Sequence, residues 1–268
     1  MLKDITLGQY FPGESFIHRL DPRTKLLCTV LYIAALFMAK FFISYALMLF
    51  LLVFSVAVTG IRPSAFLRGL KPLLLIIIFT AVLNVFYARG GTQLFSWWVF
   101  TITTEGLKTA FFMVLRIMLL ICGTFLLTYT TTPMALTDGL ELIMNPLKKL
   151  RVPVHEFAMM MSIALRFIPT LIEEADKITS AQKARGANFE TGRLTERVKA
   201  LLPLLVPLFV SAFRRADELA VAMEARCYRG GEGRTRMKKL CMGARDFLTI
   251  AGFSVLLAGI AVLSSLGL

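Results

Sequence analysis

Five apolar runs, at residues 26–39, 43–58, 73–87, 107–129 and 247–266, constrain this chain more than any other feature. Burying that much apolar chain in water takes a polar surface to enclose it. Here 57% of residues are hydrophobic and only 18% are charged, with a mean hydropathy of +0.71. The bilayer must therefore solvate part of the molecule. Segments of roughly 20 residues match the hydrocarbon thickness, and the first two runs, being shorter, draw on their flanking residues. The expected fold is an all-α integral membrane protein with about five transmembrane helices and long amphipathic cytoplasmic helices.

The flanks set its expected orientation. Asp21-Pro22 opens the first helix, Asp as N-cap and Pro at the first helical position. Lys40 marks a very short turn, and the next connection, 61–71, carries Arg62, Arg68 and Lys71 with no acid, which places it in the cytoplasm. Gly90-Gly91 and Trp97-Trp98 mark an external loop, paired indoles being at home in the headgroup layer. Counting crossings puts the N-terminus inside and the C-terminus outside the cell membrane. No signal peptide is expected ahead of the first run. The net charge of +13 falls mostly beside apolar runs, so topology accounts for it and no nucleic-acid partner is expected.

Residues 133–242 differ from the rest, holding 18 Lys+Arg and 12 Asp+Glu. They divide the chain into a membrane domain of four spans (1–132), a cytoplasmic or interfacial coupling domain (133–242) and a last transmembrane helix (243–268). Two apolar blocks interrupt the charge. Residues 157–171 contain Met159-Met160-Met161, Arg166 and Pro169, and residues 200–213 contain Pro203 and Pro207. Blocks this short suit interfacial or partner-covered helices, although six or seven spans stay open. Helices are expected at 134–149, 154–184 with a break near Pro169, and 194–226.

Both long helices end in the same pattern. Ala175-Asp176 through Ala184-Arg185-Gly186 and, 41 residues later, Ala216-Asp217 through Ala225-Arg226-Cys227 share A-D-x-φ-x-x-A-x-x-A-R-small, φ being Ile or Leu. Positions four and seven before each Arg lie on its own helix face: Ala181 and Ile178, Ala222 and Leu219. A small residue lets another backbone approach, the aliphatic residue adds buried area, and the guanidinium extends from the stripe with five donors. Two such tips suit a partner with two equivalent pockets. An Arg that merely caps its helix end is the plainer reading for either copy alone.

These tripeptides resemble the paired Arg-centred motifs of the transmembrane (T) component of energy-coupling factor (ECF) transporters, the CbiQ-like EcfT family. Its shared, general-purpose type also resembles the lead from Gly8-Gln9-Tyr10-Phe11-Pro12-Gly13 to Leu20-Asp21-Pro22-Arg23-Thr24-Lys25, and Arg166-Phe167-Ile168-Pro169 recurs in the family. Cys227 departs from it, Ser or Gly being frequent there. The resemblance implies a scaffold for ATP-driven uptake of a vitamin or micronutrient. Ala184, Arg185, Gly186, Ala225, Arg226 and Cys227 would bind two EcfA-like ABC ATPases, as a homo- or heterodimer. A substrate-binding membrane S component would rest on the cytoplasmic helices, with Met159, Met160, Met161, Leu204, Leu205 and Leu208 as candidate contacts. Flexible Met suits varied partners, although ordinary helix packing accounts for it equally.

No enzymatic role is expected. The chain has no phosphate loop, so ATP belongs to partner chains, and it shows no nucleophile–base arrangement, cofactor site or metal site. His18 and His155 stand apart, and the four cysteines show no paired spacing. No carboxylate lies within the five runs, which argues against an ion pathway. Arg116, the one charge well inside a run, is expected to snorkel to the headgroups or pair across a subunit interface. Glu173-Glu174 with Asp176 reads as a solvated helix face. The rivals are an ABC permease subunit lining its own translocation path and a lipid-directed membrane enzyme.

Overall fold

A computed structural model of the chain describes residues 10–87, 92–97, 100–187, 194–230 and 240–266. The fold is all-α apart from one short hairpin. In order come α1 (Pro22–Met38), α2 (Phe42–Thr59), α3 (Pro63–Leu70), α4 (Leu74–Tyr87), β1 (Gln93–Trp97), β2 (Phe100–Thr103), α5 (Thr104–Thr130), α6 (Pro133–Ile143), α7 (Val154–Ala184), α8 (Leu194–Ala225) and α9 (Ala244–Leu266). Two compact units result: a core unit of Gly8–Leu140 with Leu240–Leu268, and a repeat unit containing Glu141–Lys239.

The core unit is built on α1. Asp21 caps it, its carboxylate accepting from Arg23 N at 2.9 Å, and Pro22 opens the first turn. Tyr32, Ala35, Leu36 and Ala39 then pack with Tyr45 and Met48 of α2, Leu119 of α5 and Ile260 of α9. Gly123 permits the closest approach: a Cβ there would lie 2.4 Å from the Tyr32 ring, whose hydroxyl donates to Leu119 O at 3.1 Å. Outside this cluster the helices turn apolar faces outward. Phe50, Leu75 and Val255 are each at least 70% exposed, an arrangement lipid tolerates and water does not.

The lead straps the core unit together at one end. Phe11 N donates to Tyr129 O at 3.0 Å and its ring meets Tyr129 edge-on. Lys25 Nζ donates to Thr130 O at 2.8 Å and His18 O at 3.1 Å, while Asp246 accepts from Asp21 N and Gly243 N, both at 2.9 Å. The loop carbonyls and amides left between α1, α5 and α9 thus find charged partners. The Asp21-Pro22-Arg23-Thr24-Lys25 stretch is a joint, held by the polar groups of Asp21, Arg23 and Lys25.

Several expectations need correction. Residues 61–71 are not a loop: Pro63–Leu70 is helix α3, continued through a 3₁₀ turn at Lys71–Leu73. The connection expected outside the membrane is a β-hairpin, with Gly90, Gly91 and Trp98 outside the described residues. The helix expected at 134–149 stops at Ile143, and a 3₁₀ turn at Asn145–Leu150 follows because Pro146 cannot donate to an α-helical ladder. Conversely α7 runs unbroken through Pro169. Arg116 neither snorkels nor waits for another subunit. Its Nε donates to Tyr45 Oη at 2.8 Å and its Nη2 to Ala39 O at 2.9 Å, with the guanidinium also over the Tyr45 ring. Ala39 ends α1, so its carbonyl lacks a helical partner and the charge supplies one.

Five segments among the described residues are long and apolar enough to cross a membrane, four of them over expected runs: Phe42–Thr59, Pro63–Phe86, Thr104–Thr130, Val154–Ala184 and Ala244–Ser265. α1, at 17 residues, is one residue shorter than the shortest of these, its first turn being taken by the polar joint. α7 enters with a mean hydropathy of 1.2, the lowest of the five, set by its apolar first half.

Candidate functional site

The two Arg-bearing helix ends of the repeat unit are built by one hydrogen-bond pattern. At the end of α7, Arg185 N donates to Gln182 O at 3.1 Å, Gly186 N to Lys183 O at 3.0 Å and Ala187 N to Gln182 O at 2.9 Å. At the end of α8, Arg226 N donates to Met223 O at 3.1 Å, Cys227 N to Glu224 O at 2.8 Å and Tyr228 N to Met223 O at 3.0 Å. Each bond of the second set is the first shifted by 41 residues. This is the Schellman closure, in which the residue after the cap turns left-handed to satisfy the last carbonyls. Gly186 has φ +89° and Cys227 φ +55°. At Gly186 the missing Cβ suits this left-handed conformation, whereas Cys227 adopts it at a cost.

Both closures leave their arginines outside. Arg185 and Arg226 are exposed, and neither guanidinium bonds another described residue. Ala184 and Gly186, Ala225 and Cys227 are exposed beside them, as are Ala181 and Ala222 one turn back, with Ile178 and Leu219 half-buried. All six sequence-predicted tip residues therefore lie on accessible helix ends, and Arg185 itself occupies the C-cap of α7.

The two helices meet through Glu174, which sequence reasoning assigned to a solvated face, and Arg215. Arg215 Nη2 donates to Glu174 Oε2 at 2.9 Å, with both side chains about one-third exposed or less. Glu174 and Arg215 are themselves 41 residues apart, so equivalent positions of the two copies pair with each other. Contact between equivalent positions is what a local two-fold relation places at its axis. From that bridge each Arg tip lies eleven residues on, or ~16 Å along its helix. The repeat, extended one residue upstream, carried the signal.

The other candidates lie along the same two helices. Met159 is half-buried while Met160 and Met161 are exposed; Leu205 is exposed between half-buried Leu204 and Leu208. On α8, Leu202, Val206, Phe209 and Phe213 continue an apolar stripe at helical spacing, each more than half exposed. His155, at the start of α7, bonds Glu141 through Nδ1 at 3.0 Å. In the core unit His18 bonds Phe11 O through Nε2 at 3.0 Å and Ser15 Oγ through Nδ1 at 2.7 Å, and burial holds its pKa below the ordinary 6.5. No cluster of metal-ligating side chains occurs among the described residues.

Residues 13–237 match the CbiQ family, whose description is cobalt transport protein. The chain belongs to the CbiQ family. Within it, this chain is similar to proteins named energy-coupling factor transporter transmembrane protein EcfT. The one from Clostridium kluyveri is 54% identical over 92% of each chain. That of Ruminiclostridium cellulolyticum is 50% identical over 98% of this chain and 95% of its own, and that of Bacillus subtilis 50% identical over 96% and 97%. Membership makes this chain the transmembrane component of an ECF transporter, a membrane subunit of a transport complex.

Proposed function

We propose that this chain is the coupling scaffold of an ATP-driven importer for a vitamin or micronutrient, linking two ABC ATPase subunits to a substrate-binding S component. The observation that carries it is the pair of exposed arginines, Arg185 and Arg226, each set on an identically closed helix end. In each tip, Ala184-Arg185-Gly186 or Ala225-Arg226-Cys227, the guanidinium enters a groove on one ATPase, and the small residues beside it let the partner backbone close in. The Glu174–Arg215 bridge lets ATPase closure shift both tips as one body. ATP binds and is hydrolysed on the ATPases, and this chain is non-catalytic. The S component rests on the Met159–Met160–Met161 and Leu204–Leu205–Leu208 surface, which moves with the tips. The complex sits in the bacterial cell membrane, α1 crossing it with help from its flanking residues and α7 lying at its surface, so that the N-terminus and residues 133–242 are in the cytoplasm and the C-terminus is outside.

Co-purification tests this reading. Arg185→Ala with Arg226→Ala strips the ATPases from the complex, and either change alone weakens retention. Normal ATPase recovery with the double variant overturns it. So does substrate uptake into vesicles holding this chain and the ATPases without an S component, which is the behaviour of a permease lining its own path.

A further inference from the structure

α2, α3 and α5 of the core unit enclose an open groove of about 710 Å³, lined by Leu49, Val53, Ala57, Leu67, Leu115 and Met118 among others. Its lining is apolar except at one end, where Arg62 stands. Arg62 also lines a second hollow of about 490 Å³, of mixed polar and apolar lining, with Arg68, Ser64 and His18, and Gly60 and Ile61 are likewise common to both. The apolar groove and the cup with its two cations thus meet at the α2–α3 turn, with Arg62 reaching both and Arg68 lining only the cup. Both volumes are in the ~300–1,000 Å³ range typical of small-molecule sites.

The cup lacks its counter-charge. Arg62 and Arg68 are exposed, and neither forms an ion pair or side-chain hydrogen bond with another described residue. The segment 61–71 contains no acid. Arg62 is also the N-cap residue of the eight-residue α3, where no side chain caps the first turn, so the positive end of that helix faces the same place. His18 does not compete for an anion, its Nε2 being bonded to Phe11 O and its Nδ1 to Ser15 Oγ.

We infer that the groove and cup form a site for one anionic phospholipid, an acyl chain lying along α2 and α5 and the phosphate between Arg62 and Arg68. The complementarity selects this occupant. A free phosphate leaves the groove empty, a zwitterionic lipid brings a cation of its own beside the two arginines, and an apolar protein segment lacks the charge. On the side that carries the arginines, the bound lipid would be drawn from the cytoplasmic leaflet, where anionic lipids concentrate.

Native mass spectrometry of the purified chain tests the site, using phosphatidylglycerol, phosphatidylcholine of the same acyl chains, and glycerol 3-phosphate as probes. One phosphatidylglycerol per chain survives conditions that release phosphatidylcholine, and glycerol 3-phosphate is not retained. Arg62→Ala with Arg68→Ala weakens retention about tenfold or more, the matching Lys pair keeps most of it, and Ala57→Trp, which fills the groove without touching the charge, abolishes it. Size-exclusion profiles and circular dichroism confirm that each variant is folded. Equal retention of both lipids, retention unaffected by the Arg→Ala pair, or binding of glycerol 3-phosphate comparable to the lipid overturns the proposal. So does a photo-crosslinker at residue 57 that captures a polypeptide rather than lipid in the assembled complex.

Discussion

At the scale of single residues, the tips depend on backbone chirality as much as on charge. Gly186 has open space around its missing Cβ, so any penalty at that position comes from its φ of +89° alone. Gly186→Ala is expected to cost about 1–2 kcal/mol of helix-end stability, the usual penalty for a left-handed L-residue. Cys227 already bears such a penalty at φ +55°, and Cys227→Gly should recover about 1 kcal/mol. Amide exchange at Ala187 and Tyr228, whose N–H groups close the two ends, reads both changes. Equal exchange in variant and parent would mean that the closures are not held as described. His18 offers a pH test. Burial lowers its folded pKa below 6.5, so the unfolded chain binds the extra proton first and stability falls as pH drops below 6.5. Thermal unfolding in detergent should show this slope, and His18→Gln should flatten it.

At the scale of elements, α7 and α8 and their endings were legible in the sequence, because charge, proline and the apolar blocks bound them on both sides. The 41-residue repeat likewise exposed Arg185 and Arg226 as a pair. What periodicity did not carry was orientation. Glu174 sits among lysines and reads as a solvated residue, since the turn of a helix says which face a side chain is on but not what stands opposite. Arg116 was unreadable for the same reason: its partners, Tyr45 and Ala39, belong to the α1–α2 corner, more than 70 residues away. Helix α3 was missed because an eight-residue amphipathic helix and a basic loop have the same composition. The Glu174–Arg215 bridge predicts a specific pattern of rescue. Glu174→Arg or Arg215→Glu alone places like charges at the meeting point and loosens α7 from α8. The double swap restores the contact, to a degree limited by its solvent exposure. Disulfide-trapping rates between cysteines placed on the two helices report the change, and a swap no better than either single variant would remove the bridge from the account.

At the scale of the whole molecule, the proposal requires both tips on the cytoplasmic side, and the chain's own cysteines can report it. Cys227 and Cys241 are exposed while Cys28 is buried and Cys122 half-buried, so a membrane-impermeant thiol reagent should react mainly with the first two. With Cys241→Ser, Cys227 becomes the principal target and marks the second tip directly. It should stay unlabelled in intact cells and react in inside-out vesicles, and excess ATPase subunits should slow the reaction by covering Arg226 and its neighbours. The paired tips also set how strongly they hold. Once one is seated on a dimeric ATPase, the second binds at a high local concentration, which multiplies retention by ~10²–10⁴ without any new kind of contact. Losing Arg185 alone should therefore abolish most of that gain and leave Cys227 only weakly protected, although Arg226 itself is intact. Protection of Cys227 that is unchanged by Arg185→Ala would mean that the tips act independently, and a two-site motor gripping both helix ends would no longer describe the complex.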